Sequence, residues 1–155
     1  RDLVRSRGLG DVYKRQVLTG HGGFAQGMEN ALAMIAGPQE QFLTVPFLEE
    51  NPLADFEKEL QGAIDQLKET CDGVVICADL VGGTPFNVAM TAANEDPQVE
   101  VIGGSNLLML VEGSLTRYTA ADPERFCQEL AEIGKSGIFH GKIKGHGEIK
   151  EEEGI

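Results

Sequence analysis

The sequence is poor in cysteine, in positive charge and in long apolar runs. Its three cysteines, Cys71, Cys77 and Cys127, form no C-x-x-C pair. They sit mostly in apolar surroundings, which points to free thiols in a reducing compartment rather than a disulfide framework. Lysine and arginine number 13 against 25 aspartates and glutamates, for a formal net charge of -12. Such a field opposes sequence-independent binding to nucleic acid or to an anionic membrane. No apolar run approaches the roughly 18 residues that span a bilayer, and the start shows no secretory signal with a cleavage site. Histidine, cysteine and carboxylates form no cluster at ligand spacing, so no metal is expected. The expectation is a cytoplasmic protein without a nucleic-acid partner.

What is present suits one globular domain: 155 residues, 41% hydrophobic and 25% charged, enough to bury a real core. Residues 1–16, "RDLVRSRGLGDVYKRQ", are basic in an acidic chain and show neither strand nor helix period. They read as a non-native extension. Only "QVLTG" has strand character there, and Lys14 and Arg15 stand where a buried strand favours Val or Ile.

Strand and helix patterns then alternate. "FAQGMENALAMIA" puts Phe24, Met28, Leu32 and Ile35 on one helical face and stops at Gly37-Pro38. "QFLTVPF" is a strand. Asn51-Pro52 gives an N-cap with Pro at the first helical position, followed by a stripe of Leu53, Phe56, Leu60, Ile64 and Leu67. "GVVICAD" is a strand buried on both faces, "PFNVAMTAANE" a helix, "QVEVIGG" a strand and "NLLMLVEGSL" a helix. Asp122-Pro123 opens a last helix through about Ile133. This order implies an α/β fold, an open, mostly parallel, doubly wound sheet with helices on both faces. The domain spans 17–140, and 141–155 form a polar tail rich in Gly and Glu.

In such a sheet, ligands sit beyond the carboxyl ends of the strands, where the strand order reverses. "TGHGG" and "DLVGGTPFN" hold that position. If their strands are neighbours, as in flavodoxin-like order, His21 and Asp79 face each other. A neutral imidazole nitrogen can attack phosphorus, and a carboxylate on the other ring nitrogen fixes the tautomer. Glycines admit a large donor, and the N–H groups of "GGT" at a helix start, with the Thr84 hydroxyl, suit phosphate oxygens. Gly20, Gly22 and Ala25 also satisfy a dinucleotide-binding turn, the alternative of a different class. Glu49 and Glu50 lie too far along to hold the ribose. His140 and His146, in a Gly-rich end with Lys neighbours, have a solvated side chain as their default. Phe42, Phe47, Phe56 and the methionines read as core filler.

"VLTGHGGFAQGMENAL", "ADLVGGTPFNVA" and "VIGGSNLLMLVE", in this order, resemble the mannose-family IIA components of the bacterial phosphotransferase sugar-uptake system (PTS). The resemblance runs from Val17 to about Gly137. It implies that His21 takes a phosphoryl group from the phosphocarrier HPr and passes it to a IIB component, without any cofactor. Asp79 matches the aspartate that hydrogen-bonds that histidine. Gly20 and Gly22 flank it, and Gly82, Gly83, Thr84, Pro85, Phe86 and Asn87 match the phosphate-side loop. Together with the closing "EEGI", the turns look most like the N-acetylgalactosamine/galactosamine branch. A membrane IIC/IID complex is then an indirect partner. The resemblance also implies a homodimer with a late antiparallel edge strand near "GIFHGKI". It permits a second role, the phosphocarrier subunit of a dihydroxyacetone kinase. The chain departs from the family at its first residues and at Val81, where some members carry an aromatic side chain.

Overall fold

The protein is described from a computed structural model, over residues 15–143. Residues 1–14 and 144–155 lie outside the described residues, and with them Lys14, His146, the closing "EEGI" and most of the supposed extension and tail. Nine elements follow in order: β1 (Arg15–His21), α1 (Phe24–Ala36), β2 (Phe42–Phe47), α2 (Leu53–Lys68), β3 (Val74–Ala78), α3 (Thr84–Asn94), β4 (Val99–Ile102), α4 (Leu107–Thr116) and α5 (Pro123–Ser136). This is the alternation expected from the hydrophobic periods.

The four strands form one parallel sheet in the order β2-β1-β3-β4. From β1 the chain crosses to β2 on one side, then returns past β1 to β3 on the other. The strand order therefore reverses between β1 and β3. Parallel pairing requires crossovers, which cover both faces of the sheet. Val17, Val74 and Ile76 join Phe56, Leu60 and Ile64 of α2 on one face. Leu18, Val75 and Cys77 join Leu32, Leu110 and Phe126 on the other. These side chains are almost fully buried, and burial of each large one contributes about 1.5–3 kcal/mol.

Several local expectations are corrected. No strand forms at residues 137–143, and among the described residues every strand pairing is parallel. Ile138, Phe139 and Ile143 there are 78–83% exposed, so the segment has no apolar layer to hold it against β4. The face of α1 that meets the sheet is centred on Ala25 and Leu32, which leaves Ile35 at its rim, 36% exposed. Leu53 is likewise half exposed. The cap of α2 is Pro52 rather than Asn51; its carbonyl accepts from the N–H groups of Asp55 and Phe56. Asp122 does cap α5, accepting from the Arg125 N–H at 2.8 Å. That helix continues to Ser136.

β1 begins at Arg15 and so takes in two residues of the segment 1–16. Arg15 is 6% exposed, with its Nη2 donating to the Thr70 carbonyl at 3.5 Å. Gln16 is also buried and donates to the Cys77 sulfur at 3.9 Å. Strand pairing and these contacts hold two polar side chains where an apolar pair was expected. From Arg15 to Gly20 the strand is buried throughout, and only its last residue, His21, emerges.

Candidate functional site

His21 ends β1, and Asp79 directly follows β3. These two strands are hydrogen-bonded neighbours, so the reversal point brings together residues 58 positions apart. Asp79 Oδ2 accepts from the His21 backbone N–H and lies 2.9 Å from the ring Nδ1. Burial alone would raise the Asp79 carboxyl. The hydrogen bonds from the His21 main chain and ring, the charge of the ring and the Leu80 N–H outweigh that and hold it below the usual carboxylate range. An ionised carboxylate can only accept, so Nδ1 is the nitrogen that carries the proton toward Asp79, and in the neutral ring the lone pair is on Nε2. The His21 side chain is 46% exposed, against 14% for Asp79. The carboxylate is thus largely buried beneath a half-exposed imidazole.

The loop after β3 encloses the ring from above. Gly82 adopts φ +87°, a left-handed conformation that glycine tolerates without strain. Gly83 has ordinary extended angles, and what it needs is space: a Cβ there would lie 2.8 Å from His21 Cε1. Asn87 Nδ2 donates to the Gly82 carbonyl at 3.1 Å and fastens the turn. Thr84 opens α3, with Pro85 behind it. The first-turn N–H groups of Thr84 and Phe86 have no acceptor within the helix, an arrangement suited to phosphate oxygens.

Not every expected residue presents a donor to the ring. The Gly22 N–H is used on the Phe47 carbonyl at 2.8 Å, and the Gly83 N–H on Leu80 at 3.1 Å. The Phe86 ring packs beside Gly103, where a Cβ would come within 2.9 Å of its Cδ1. Pro85 is buried, and Gly20 is packed between Phe24 and Asp79. Glu49 and Glu50 are exposed in the turn after β2, and His140 is exposed in the segment beyond α5. The three cysteines are free. Burial raises all their thiols, Cys77 to about 12, so none is an ionised nucleophile at neutral pH.

Phe47 packs against the core as expected, and its ring also stands edge-on to His21, with centroids 5.9 Å apart and planes at 75°. Its place at the last residue of a strand beside the histidine strand was the available signal. Among the described residues no metal-binding group of three or more His, Cys, Asp or Glu is found, and no helix is long and apolar enough to cross a membrane.

Replacing Gly83 with alanine is expected to keep the fold, because its backbone angles suit any residue. The added methyl must push the imidazole off Asp79 and loosen the Nδ1–Oδ2 contact. Melting curves together with nitrogen-15 spectra of the ring would check both halves of this expectation.

A parallel doubly wound sheet thus carries a histidine–aspartate pair and a helix N-terminus at its reversal point. Residues 15–128 match the family model EIIA-man, described as PTS system fructose IIA component. The chain belongs to that family and is a PTS IIA component of the mannose type. It is 28% identical over 96 residues to the PTS system fructose-specific EIIA component of Bacillus subtilis, covering 62% of this chain and 65% of that protein. Against the PTS system mannose-specific EIIAB component of Escherichia coli K12 it is 27% identical over 128 residues, 83% of this chain and 39% of that protein. The chain thus spans less than two thirds of either relative. Among solved structures it is similar to the phosphotransferase EIIA of Streptococcus agalactiae, with a TM-score of 0.75 at 27% identity over 81% of this chain and 95% of that one. The mannose/sorbose-specific IIA subunit of Enterococcus faecalis gives a TM-score of 0.75 at 28% identity, over 85% and 97%.

Proposed function

We propose that His21 accepts a phosphoryl group from phosphorylated HPr on Nε2 and donates it to a IIB component. The observation that carries this reading is the Asp79 carboxylate on Nδ1, which makes Nε2, beside Gly83 at the start of α3, the nitrogen free to act in the neutral ring. In the transfer the Nε2 lone pair forms the N–P bond while the donor's P–N bond breaks, its electron pair returning to the donor nitrogen. The Nδ1 proton stays in place, and Asp79 offsets the positive charge that develops on the ring. Gly82 and Gly83 leave room for the donor. Thr84 and the first turn of α3 receive the phosphoryl oxygens, and Asn87 keeps the turn in shape.

The sugar system is read from likeness: the relatives are named for fructose, mannose and sorbose, and the turns resemble the N-acetylgalactosamine/galactosamine branch. We assign the chain to amino-sugar or mannose-type uptake, through IIB to a membrane IIC/IID complex. A homodimer in the cytoplasm is part of the same proposal; the exposed Ile138, Phe139 and Ile143 are apolar surface a second copy would cover.

The test is incubation with phosphoenolpyruvate, Enzyme I and HPr, followed by intact mass measurement. Uptake of one acid-labile phosphoryl group that then moves onto a IIB protein is the expected result. A folded chain that stays unmodified would overturn the proposal, and transfer to a dihydroxyacetone kinase subunit instead of IIB would reassign the pathway.

A further inference from the structure

We infer that Phe47 is a positioning residue for phosphoryl transfer, a wall that stops the His21 imidazole from turning over and so dictates which nitrogen is phosphorylated. The inference rests on the reading of His21 as the phosphoryl acceptor.

The ring of His21 is bounded on three sides. Asp79 Oδ2 holds Nδ1 at 2.9 Å. The backbone of Gly83 passes so close to Cε1 that a methyl group has no room. Phe47 closes the third side with its near-perpendicular ring. A histidine ring has a broad, roughly two-fold torsion about its outer bond. With one wall missing, a half-turn would exchange Nδ1 with Cδ2 and Nε2 with Cε1, leave Asp79 facing a carbon, and free Nδ1 of its carboxylate so that it too can take a phosphoryl group.

Phe47 is itself fixed from beneath. In the parallel pairing of β1 with β2 its Cα is the register partner of His21, and its carbonyl accepts the Gly22 N–H at 2.8 Å. Its ring packs on Phe56, with centroids 5.0 Å apart and planes at 59°. Phe56 is 0% exposed and lies in the core beneath the sheet. A rigid line therefore runs from the core through two aromatic rings to the reacting imidazole. Phe47 is placed to act through its contact with His21.

The test uses the described chain with phosphoramidate, a small donor that needs no protein partner. Nε2 of His21 attacks phosphorus, the donor's P–N bond breaks, and its nitrogen leaves as ammonia. Wild type, Phe47→Leu, Phe47→Met and Phe47→Tyr are compared by uptake rate and by long-range nitrogen-15 spectra of the histidine rings. These spectra separate the two ring tautomers and the two phosphohistidine isomers. Wild type and Phe47→Tyr are expected to give the Nδ1–H tautomer and the Nε2 isomer only. Phe47→Leu and Phe47→Met should slow uptake by about fivefold, the cost of a ring held off its preferred torsion, and yield a measurable Nδ1 isomer. Melting curves identify a variant that fails to fold, and either apolar replacement that folds suffices. A folded Leu or Met variant with the wild-type rate, tautomer and single isomer would overturn the inference.

Failure of the functional reading is separable. Should wild type accept phosphoramidate but not phosphorylated HPr, the partner assignment fails and the Phe47 comparison stands. Should it accept neither, the tautomer spectra of the unphosphorylated proteins still decide: a mixed tautomer in the Leu variant supports the wall, and an unchanged one removes it.

Discussion

Substituting alanine for His21 is expected to abolish acid-labile phosphate on this protein, while His140→Ala leaves uptake unchanged. His21 is exposed at the end of an otherwise buried strand, so its removal takes away a nucleophile without opening a core cavity. The melting temperature should stay close to that of wild type. His140 is exposed in the segment after α5 and has, among the described residues, no carboxylate or ring contact of the kind that fixes His21. Intact mass before and after mild acid, measured on both variants, checks the expectation. Label persisting in the His21 variant would move the acceptor elsewhere and remove the assignment of this site.

The second large effect is expected at Asp79. Asparagine in its place keeps the size of the side chain but loses the negative charge, and its amide can turn a donor toward the ring. The Nδ1–H tautomer is then no longer enforced, and the positive charge formed on phosphorylation has no counter-charge. Uptake from phosphorylated HPr should fall on the order of a hundredfold, with the loss in rate rather than in donor binding. The same carboxylate carries a pH signature. Its value in the folded protein lies below its ordinary one, because hydrogen bonds and the ring charge outweigh burial. It therefore contributes stability that is fully present above the unfolded value of about 3.9 and is lost as pH falls through the folded value. Denaturant unfolding of wild type should weaken in that acid window, and the Asp79→Asn variant should lack this component. Equal acid dependence of the two proteins would mean that the bond to His21 carries no net stabilisation.

How far the sequence alone reached differs between elements. "GVVICAD" announced β3 because an unbroken apolar run suits a strand covered on both faces, and the structure buries Val74 through Ala78 completely. Asp122-Pro123 announced the cap of α5 because capping is local chemistry. β1 was the weak point. Lys14 and Arg15 argued against a buried strand there, yet pairing with β3 carries Arg15 into the sheet. Tertiary hydrogen bonding overrode local preference. The edge strand expected near "GIFHGKI" is not formed within this chain: its apolar residues suit a strand, but Ile138, Phe139 and Ile143 stay exposed.

The candidate site divides along the same line. His21, Asp79 and the Gly-Gly-Thr turn stood out in their motifs, and the structure brings them together. Phe47 was legible only by its place at the strand end, since nothing else in "TVPF" distinguishes a ring that packs into the core from one that packs on an imidazole. By itself the sequence determined the alternation of strands and helices, the acidic balance, and which two Gly-rich loops follow strand ends, all of them properties of neighbouring residues. Only the tertiary structure decided that β1 lies between β2 and β3, which sets Asp79 on Nδ1 of His21 and Phe47 against its ring. Strand order and register are long-range pairings, fixed by how whole faces bury against one another and not by any local stretch.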